Sequence, residues 1–308
     1  MKNEASVPPS LDGTRLDKAV GELFGGTSRA RTKRAIDEGK VRVNGRRAPK
    51  GALVHTGDVL SFEVGDAVAG EAAVAEPNAA LEVRFESPSV LVVAKPAGQP
   101  TAPLRPGETG TLANALVGRF PELAGIGHSP REPGLIHRLD TDTSGLVVVA
   151  RTAAAFDALS AALKDEAIEK GYYVVCAEDG LPDEGSIDFP IANHPKDRRR
   201  VYPCVHPRDV ARYAPRPAST RFSVVRRVSD LALVQVSIKK ALRHQIRAHF
   251  EALGHPLAGV ELYGGPPRPG LTRHALHAYR VAFAGPSPDL SFDVEEPLPA
   301  DLAALVPG

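Results

Sequence analysis

The apolar residues of this chain gather in runs of strand length. Residues 90–94, 146–150, 172–176 and 231–238 are each five to eight residues long. A membrane span needs about 20 apolar residues, so these runs fit strands buried on both faces instead. Helical stripes lie between them. Thr111 caps one that carries Leu112, Ala115 and Leu116 and stops before Pro121, and Thr152 caps one that carries Phe156, Leu159 and Leu163. Ile246, His249, Phe250 and Leu253 form a third, ended by Gly254 and Pro256. Strands and helices do not alternate strictly, and there is no internal repeat. The expected fold is therefore α+β, with a mixed, largely antiparallel sheet flanked by helices.

The first 65 residues have a different character. Residues 1–10 read as a loose tail. Thr14 caps a helix whose face is Leu16, Ala19, Val20, Leu23 and Phe24, broken at Gly25-Gly26, and a second helix runs from Thr27 or Ser28 to about Glu38. Val41-Arg42-Val43, the turn pair Asn44-Gly45 and a strand over 59–64 complete a small unit. Between Thr14 and Lys50 eleven Lys/Arg face four Asp/Glu, a net of +7 in a chain whose total is +1, so the remainder carries −6. The total alone argues against a nucleic-acid partner, but its distribution argues for one: a small basic module is the electrostatic footprint of RNA binding. Residues 66–80, Ala-rich with three acids and no basic residue, read as a linker. The expected organisation is a basic unit over 12–65, a linker over 66–80 and a larger domain over 81–308.

Cys176 and Cys204 are far apart and lack CxxC spacing, which argues against a disulfide framework and a zinc site. The start has no apolar segment of the secretory kind. A soluble cytoplasmic protein, with no membrane association, no metal and no cofactor, is expected.

The chemistry gathers in Gly134-Leu135-Ile136-His137-Arg138-Leu139-Asp140-Thr141-Asp142-Thr143-Ser144-Gly145, which leads into a buried strand. Two carboxylates, a histidine, an arginine and three hydroxyls crowd a loop held by a sheet, a common place for catalysis. On pattern alone a capped turn explains it equally well.

The segment HRLDTDTSG resembles the signature of RluA-type RNA pseudouridine synthases, and further elements follow in family order: Ala94-Lys95-Pro96-Ala97-Gly98, Lys170-Gly171-Tyr172, His194-Pro195-Lys196-Asp197-Arg198, Ala218-Ser219-Thr220, His244-Gln245-Ile246-Arg247, Leu253-Gly254-His255-Pro256 and Leu276-His277-Ala278. The N-terminal unit is similar to the alpha-L RNA-binding domain first seen in a small-subunit ribosomal protein, through Arg15-Leu16-Asp17, Ser28-Arg29, Gly39-Lys40-Val41, Val43-Asn44-Gly45 and Gly57-Asp58. The resemblance implies isomerisation of uridine in RNA. Asp140 is then the essential carboxylate, Arg247 its partner and Tyr172 the ring that stacks on the target base. Asp140 should lie near the start of the Arg247 helix, with Arg243, four positions earlier, as a competing cation. The implied RNA contacts are Arg138, Arg198 and, in the basic unit, Arg15, Arg29, Lys33, Lys40 and Arg42. Arg198-Arg199-Arg200 reads as a phosphate strip or, equally, a solvated loop, and His137 as structural. Whether Asp140 attacks C1′ or assists glycal formation stays open, and no base for the C5 proton is identifiable.

Ribosomal RNA is the expected partner of a monomeric enzyme. Transfer RNA, a non-catalytic RNA-binding role and a hydrolase using His137 and Asp140 are the alternatives. Two positions depart from the family: Lys240-Ala241-Leu242-Arg243 replaces Thr-Gly-Arg-Thr, and Gly259-Val260 replaces Gly-Asp.

Overall fold

A computed structural model describes residues 2–24, 32, 35–49, 51–63, 72–259 and 261–308. In the N-terminal part, β1 (Lys2–Ser6), β2 (Thr14–Arg15), helix α1 (Leu16–Phe24), β3 (Val41–Val43), β4 (Arg46–Arg47), β5 (Leu53–Val54) and β6 (Val59–Glu63) follow in order. The sheet order is β1-β6-β3-β4, and β2 pairs separately with β5. Leu16, Ala19 and Val20 of α1 close over Val41, Leu60 and Phe62. The Asn44-Gly45 turn has positive φ at both residues (49° and 78°), the geometry of a tight hairpin. The Asn44 amide also receives Val59 N–H at 2.8 Å and donates to Asp58 at 2.7 Å.

Two local expectations change here. Residues 2–6, read as tail, pair along β6. An edge strand of this kind is held by backbone hydrogen bonds, so a segment without apolar periodicity can form it. Thr14 is strand, and α1 begins at Leu16, whose N–H bonds Ala52 O. Most of the expected second helix lies outside the described residues.

Among its described residues the larger part has eleven strands: β7 (Glu82–Glu86), β8 (Val90–Lys95), β9 (Ser144–Ala150), β10 (Glu169–Ala177), β11 (Glu184–Ile187), β12 (Ile191–Asn193), β13 (Val201–Pro203), β14 (Thr220–Val228), β15 (Leu231–Ile238), β16 (Leu276–Phe283) and β17 (Phe292–Glu295). Apart from the β12–β13 hairpin they form one nine-stranded sheet, β11-β14-β15-β10-β16-β9-β8-β7, with β17 added to β16. Every pairing is antiparallel except β9 with β16. The last long strand, β16, thus lies mid-sheet, between strands formed much earlier in the chain.

Five helices accompany it among the described residues: α2 (Leu112–Arg119), α3 (Ala153–Lys164), α4 (Pro207–Tyr213), α5 (Gln245–Leu253) and α6 (Ala300–Ala303). Thr111 and Thr152 cap α2 and α3, each accepting the third backbone N–H. One face of the sheet packs α2 and α5 through Leu112, Leu116, Ile246 and Phe250 against Val93, Val147, Val174 and Val234. The other packs α3 on Val92, Leu146 and Val148, and α6 with its tail on Val175, Leu231 and Leu233. Continuous apolar runs are required wherever both faces are covered. Residues 72–80, expected as linker, carry no helix or strand but are tied down: Ala73 N–H bonds Pro130 O, Glu76 takes Gly110 N–H and Asn114 bonds Val74 O.

Candidate active site

Asp140 sits in the loop before β9, and the surrounding backbone is pinned from three sides. Thr101 Oγ1 donates to Leu139 O at 2.7 Å and receives Leu139 N–H. Thr141 O accepts Gly98 N–H at 3.0 Å and Lys95 Nζ at 2.9 Å. Lys95 is buried and donates also to Pro96 O and Gln99 O, so all three of its protons are used. Burial lowers its pKa to about 8. On the third side, Thr143 and Ser144 hydroxyls meet His274 Nε2 at 2.7 Å and His277 Nδ1 at 2.8 Å. Arg273, held by Asp301, donates to Leu276 O. Burial drives His274 to about 3 and His277 to about 4, so both rings are neutral at pH 7.

Gly145 is required by packing. Its φ is +116°, and a Cβ there would lie 2.2 Å from Ala278 O. The loop can enter the parallel β9–β16 contact only through a residue with no side chain.

Helix α5 supplies the cation. Its N-cap is His244, in the left-handed region at φ 54°. Gln245 anchors the start by taking Leu242 N–H and donating to Ser219 O, and Ile246 is core. Arg247 then reaches Asp140, Nη1 to Oδ2 at 3.0 Å, across 107 positions of sequence. The Arg247 side chain is 9% exposed and that of Asp140 32%. The guanidinium lies over the Tyr263 ring at 5.1 Å, a cation–π contact in a buried setting. His244 Nε2 is 3.8 Å from the same carboxylate oxygen, while its Nδ1 bonds Tyr263 Oη at 3.0 Å. Burial holds His244 at about 4, against the pull of Asp140, so it is neutral at pH 7.

Tyr172, on β10, is 5% exposed. Burial first, and the charge of Asp140 second, push its phenol well above the usual range, so it stays protonated. Asp140, Arg247 and Tyr172 are therefore brought into one place.

The expected RNA contacts divide. Arg138 is exposed and pairs with Glu132 at 2.6 Å. Arg198 is exposed, and its carbonyl accepts from Arg243 at 2.7 Å. Arg243 is thus occupied elsewhere and does not compete for Asp140, because α5 begins only at Gln245. Of the arginine triplet, Arg199 pairs with Asp197 and Arg200 turns inward onto Glu251 and Tyr263. In the basic unit Arg15 pairs with Asp17, Lys40 with Glu38, and Arg42 bonds Gly45 O. Exposed ion pairs of this kind contribute up to about 1 kcal/mol. Arg29 and Lys33 lie outside the described residues. His137 is structural: its Nε2 accepts Val148 N–H at 3.2 Å, and burial lowers it to about 3. Ala241, in place of the family glycine, has no positive φ, so its backbone is not strained by the change.

The roles of Tyr263, Arg273 and His274 were not legible in the sequence. Each acts through a partner distant in the chain, and nothing in local spacing marks them.

The family model for RNA pseudouridylate synthase matches residues 89–252, and that for the S4 domain matches residues 14–60. Ribosomal large subunit pseudouridine synthase D of Neisseria meningitidis is 35% identical, covering 98% of this chain and 80% of its own. The protein of the same name from Yersinia pestis is 32% identical, covering 98% and 93%. Among solved structures, human RNA Pseudouridylate Synthase Domain Containing 1 shares the fold, with a TM-score of 0.55 at 23% identity over 72% of this chain and 86% of that one. With a signature loop, a carboxylate–arginine pair and full-length relatives in agreement, the chain belongs to the RNA pseudouridylate synthase family and carries an S4 domain ahead of the synthase domain.

Proposed function

We propose that the protein converts uridine to pseudouridine in large-subunit ribosomal RNA, with Asp140 as the essential carboxylate. The observation that carries this is the Asp140–Arg247 pair at 3.0 Å, which fixes one carboxylate oxygen and leaves Oδ1 without a hydrogen bond among the described residues. The names of the relatives, with the S4 match, support ribosomal RNA as the substrate class.

The reaction breaks N1–C1′, joins C5 to C1′, removes the proton on C5 and returns one to N1. It changes no oxidation state. The target uridine has to leave its stack to reach the site. Asp140 Oδ1 faces the ribose and supplies the negative charge, either as nucleophile at C1′ or as acceptor of a ribose proton on the glycal route. Arg247 keeps the carboxylate oriented and balances its charge. Tyr172, a neutral phenol, stacks on the uracil, an interaction worth about 1–3 kcal/mol. Exposed Arg138 and Arg198, and the basic N-terminal unit, hold phosphates.

Asp140→Asn is the test. The substitution keeps shape and removes charge, so pseudouridine formation should vanish while RNA affinity stays within about twofold, since the carboxylate adds no phosphate contact. Wild-type turnover by the Asn protein rules the mechanism out.

A further inference from the structure

The sheet that presents Tyr172 to Asp140 has a second, open face. Alternation along the strands sends Tyr172, Phe222 and Val236 into the core, and sends Gly171, Ser237 and Arg221, which lie in one cross-strand row, the other way. On that side α3 and α6 cover other parts of the sheet, and residues of β10, β11, β14, β15 and β16 line a groove of about 710 Å³, within the range of roughly 300–1,000 Å³ that holds drug-sized ligands.

The groove has an aromatic floor made by a bulge. Gly171 pairs with Arg280 and Tyr172 with Ala278, so Tyr279 is the extra residue of β16. A bulge re-aims its side chain, and here the Tyr279 ring lies across Gly171: a Cβ on Gly171 would be 2.7 Å from ring carbon Cε1. The same ring stacks on Tyr173, centroids 4.1 Å apart and planes within 27°. Around it, Ser223, Gln235 and Ser237 line the floor, and their side chains make no hydrogen bond among the described residues. Among the described residues Arg221 and Lys239 are exposed and in no salt bridge, although Asp188 lies near enough to Arg221 to feel its charge. Of the two acids lining the rim, Glu169 is engaged by Arg280, and Glu184 is in no salt bridge among the described residues.

Stacked rings on an exposed antiparallel sheet, with uncommitted amide and hydroxyl donors and basic side chains beside them, are the elements on which single-stranded RNA docks. Lys239 and Lys240 lead from the rim of the groove to His244 and the Asp140 carboxylate within five residues. The unusual Lys240 therefore extends a basic path between the two faces. We infer that this face is a second RNA site, which takes a short single-stranded stretch of the substrate away from the target uridine. The inference rests on RNA being the substrate, as proposed above.

Two substitutions in the full-length protein test it. Tyr279→Ala removes the stacking platform. Ser237→Glu places a negative charge at an exposed strand position and leaves packing alone. The probe is a fluorescein-labelled oligouridylate about a dozen nucleotides long, a length suited to such platforms, carrying 4-thiouridine for photo-crosslinking. Each variant should weaken binding about tenfold, and crosslinks on the wild type should map to the segments holding Tyr173 and Tyr279. Unchanged affinity in both variants, or crosslinks confined to the Asp140 loop and the N-terminal unit, overturns the inference. So does a groove that protects itself by dimerisation, seen as self-association lost in Ser237→Glu with RNA affinity intact. Binding and crosslinking require no turnover. A wild-type protein that forms no pseudouridine yet crosslinks in the groove would count against the proposed function and leave this site standing. The converse would remove this site alone.

Discussion

Arg247→Met separates the pair from the packing around it. Methionine keeps an unbranched apolar stem over the Tyr263 ring and deletes the cation 3.0 Å from Asp140. At an effective dielectric of about 20, two charges at that distance attract by about 5 kcal/mol. Arginine also pays desolvation, and Asp140 remains 32% open to water. The net loss of stability should therefore fall to about 2–3 kcal/mol, below the 3–5 typical of a fully buried pair. The effect on chemistry is larger, because a misaimed carboxylate costs about a hundredfold in rate. The expected result is a hundredfold lower kcat with KM changed less than about threefold, since ground-state RNA contacts lie elsewhere. Urea unfolding reads the first quantity and pseudouridine formation in a ribosomal RNA fragment the second. Arg243→Met is the control: that side chain is exposed and bonds only Arg198 O, so stability should move by less than about 0.5 kcal/mol. Wild-type kcat in Arg247→Met, or an equal loss in Arg243→Met, refutes the reasoning.

Gly145→Ala should cost about 3 kcal/mol in urea unfolding, from a left-handed φ of +116° and a Cβ 2.2 Å from Ala278 O; Gly51→Ala, with open space around it, should cost almost nothing. Stability should fall as pH drops from 7 to 5. His274 and His277 have folded pKa values of about 3 and 4, below the ordinary 6.5, so the unfolded chain binds protons the folded one refuses, at about 2 kcal/mol per ring by pH 5. Replacing both by Gln should reduce that slope without abolishing it, since His137 and His244 are also held below 6.5 by burial, and an unaltered pH profile means the two rings are not held neutral. Removing residues 1–65 should weaken RNA binding and reduce its salt dependence, since the +7 segment releases counterions; an unchanged salt slope argues that this unit does not touch RNA.

The sequence made legible what depends on local pattern. Residues 231–238 form β15 to the residue because its first half, Leu231 to Val234, is continuously apolar and buried, and Val236 and Ile238 carry the buried face on past Gln235 and Ser237. The caps at Thr111 and Thr152 are equally local. By contrast β14 was not visible: only alternate residues at its start are buried, and two charged residues, half-buried Arg226 and exposed Arg227, break its apolar pattern. The tail that forms β1 had no apolar signal either, since its pairing uses backbone alone. Within the site, the Asp140–Arg247 contact came from the family resemblance and not from spacing, because two residues 107 apart share no periodicity. Lys95 was visible as a family element, but its task of tying Thr141 O of the Asp140 loop to Pro96 O and Gln99 O follows only from the folded geometry. Tyr279 shows the same limit: a bulge is a relation between two strands and leaves no mark on either sequence.

The position of β16 decides when the enzyme comes into existence. This strand starts at Leu276 and joins β9 to β10. Without it the sheet is two separate ribbons, one bearing the loop of Asp140 and the other bearing Tyr172 and leading to Arg247. A nascent chain presents its basic N-terminal unit long before that strand is made, while domains form in order during synthesis. A chain halted near residue 270 therefore holds Asp140, Tyr172 and Arg247, the proposed catalytic trio, without the strand that joins the ribbons carrying them. Such a fragment keeps its means of holding RNA while lacking any means of changing it.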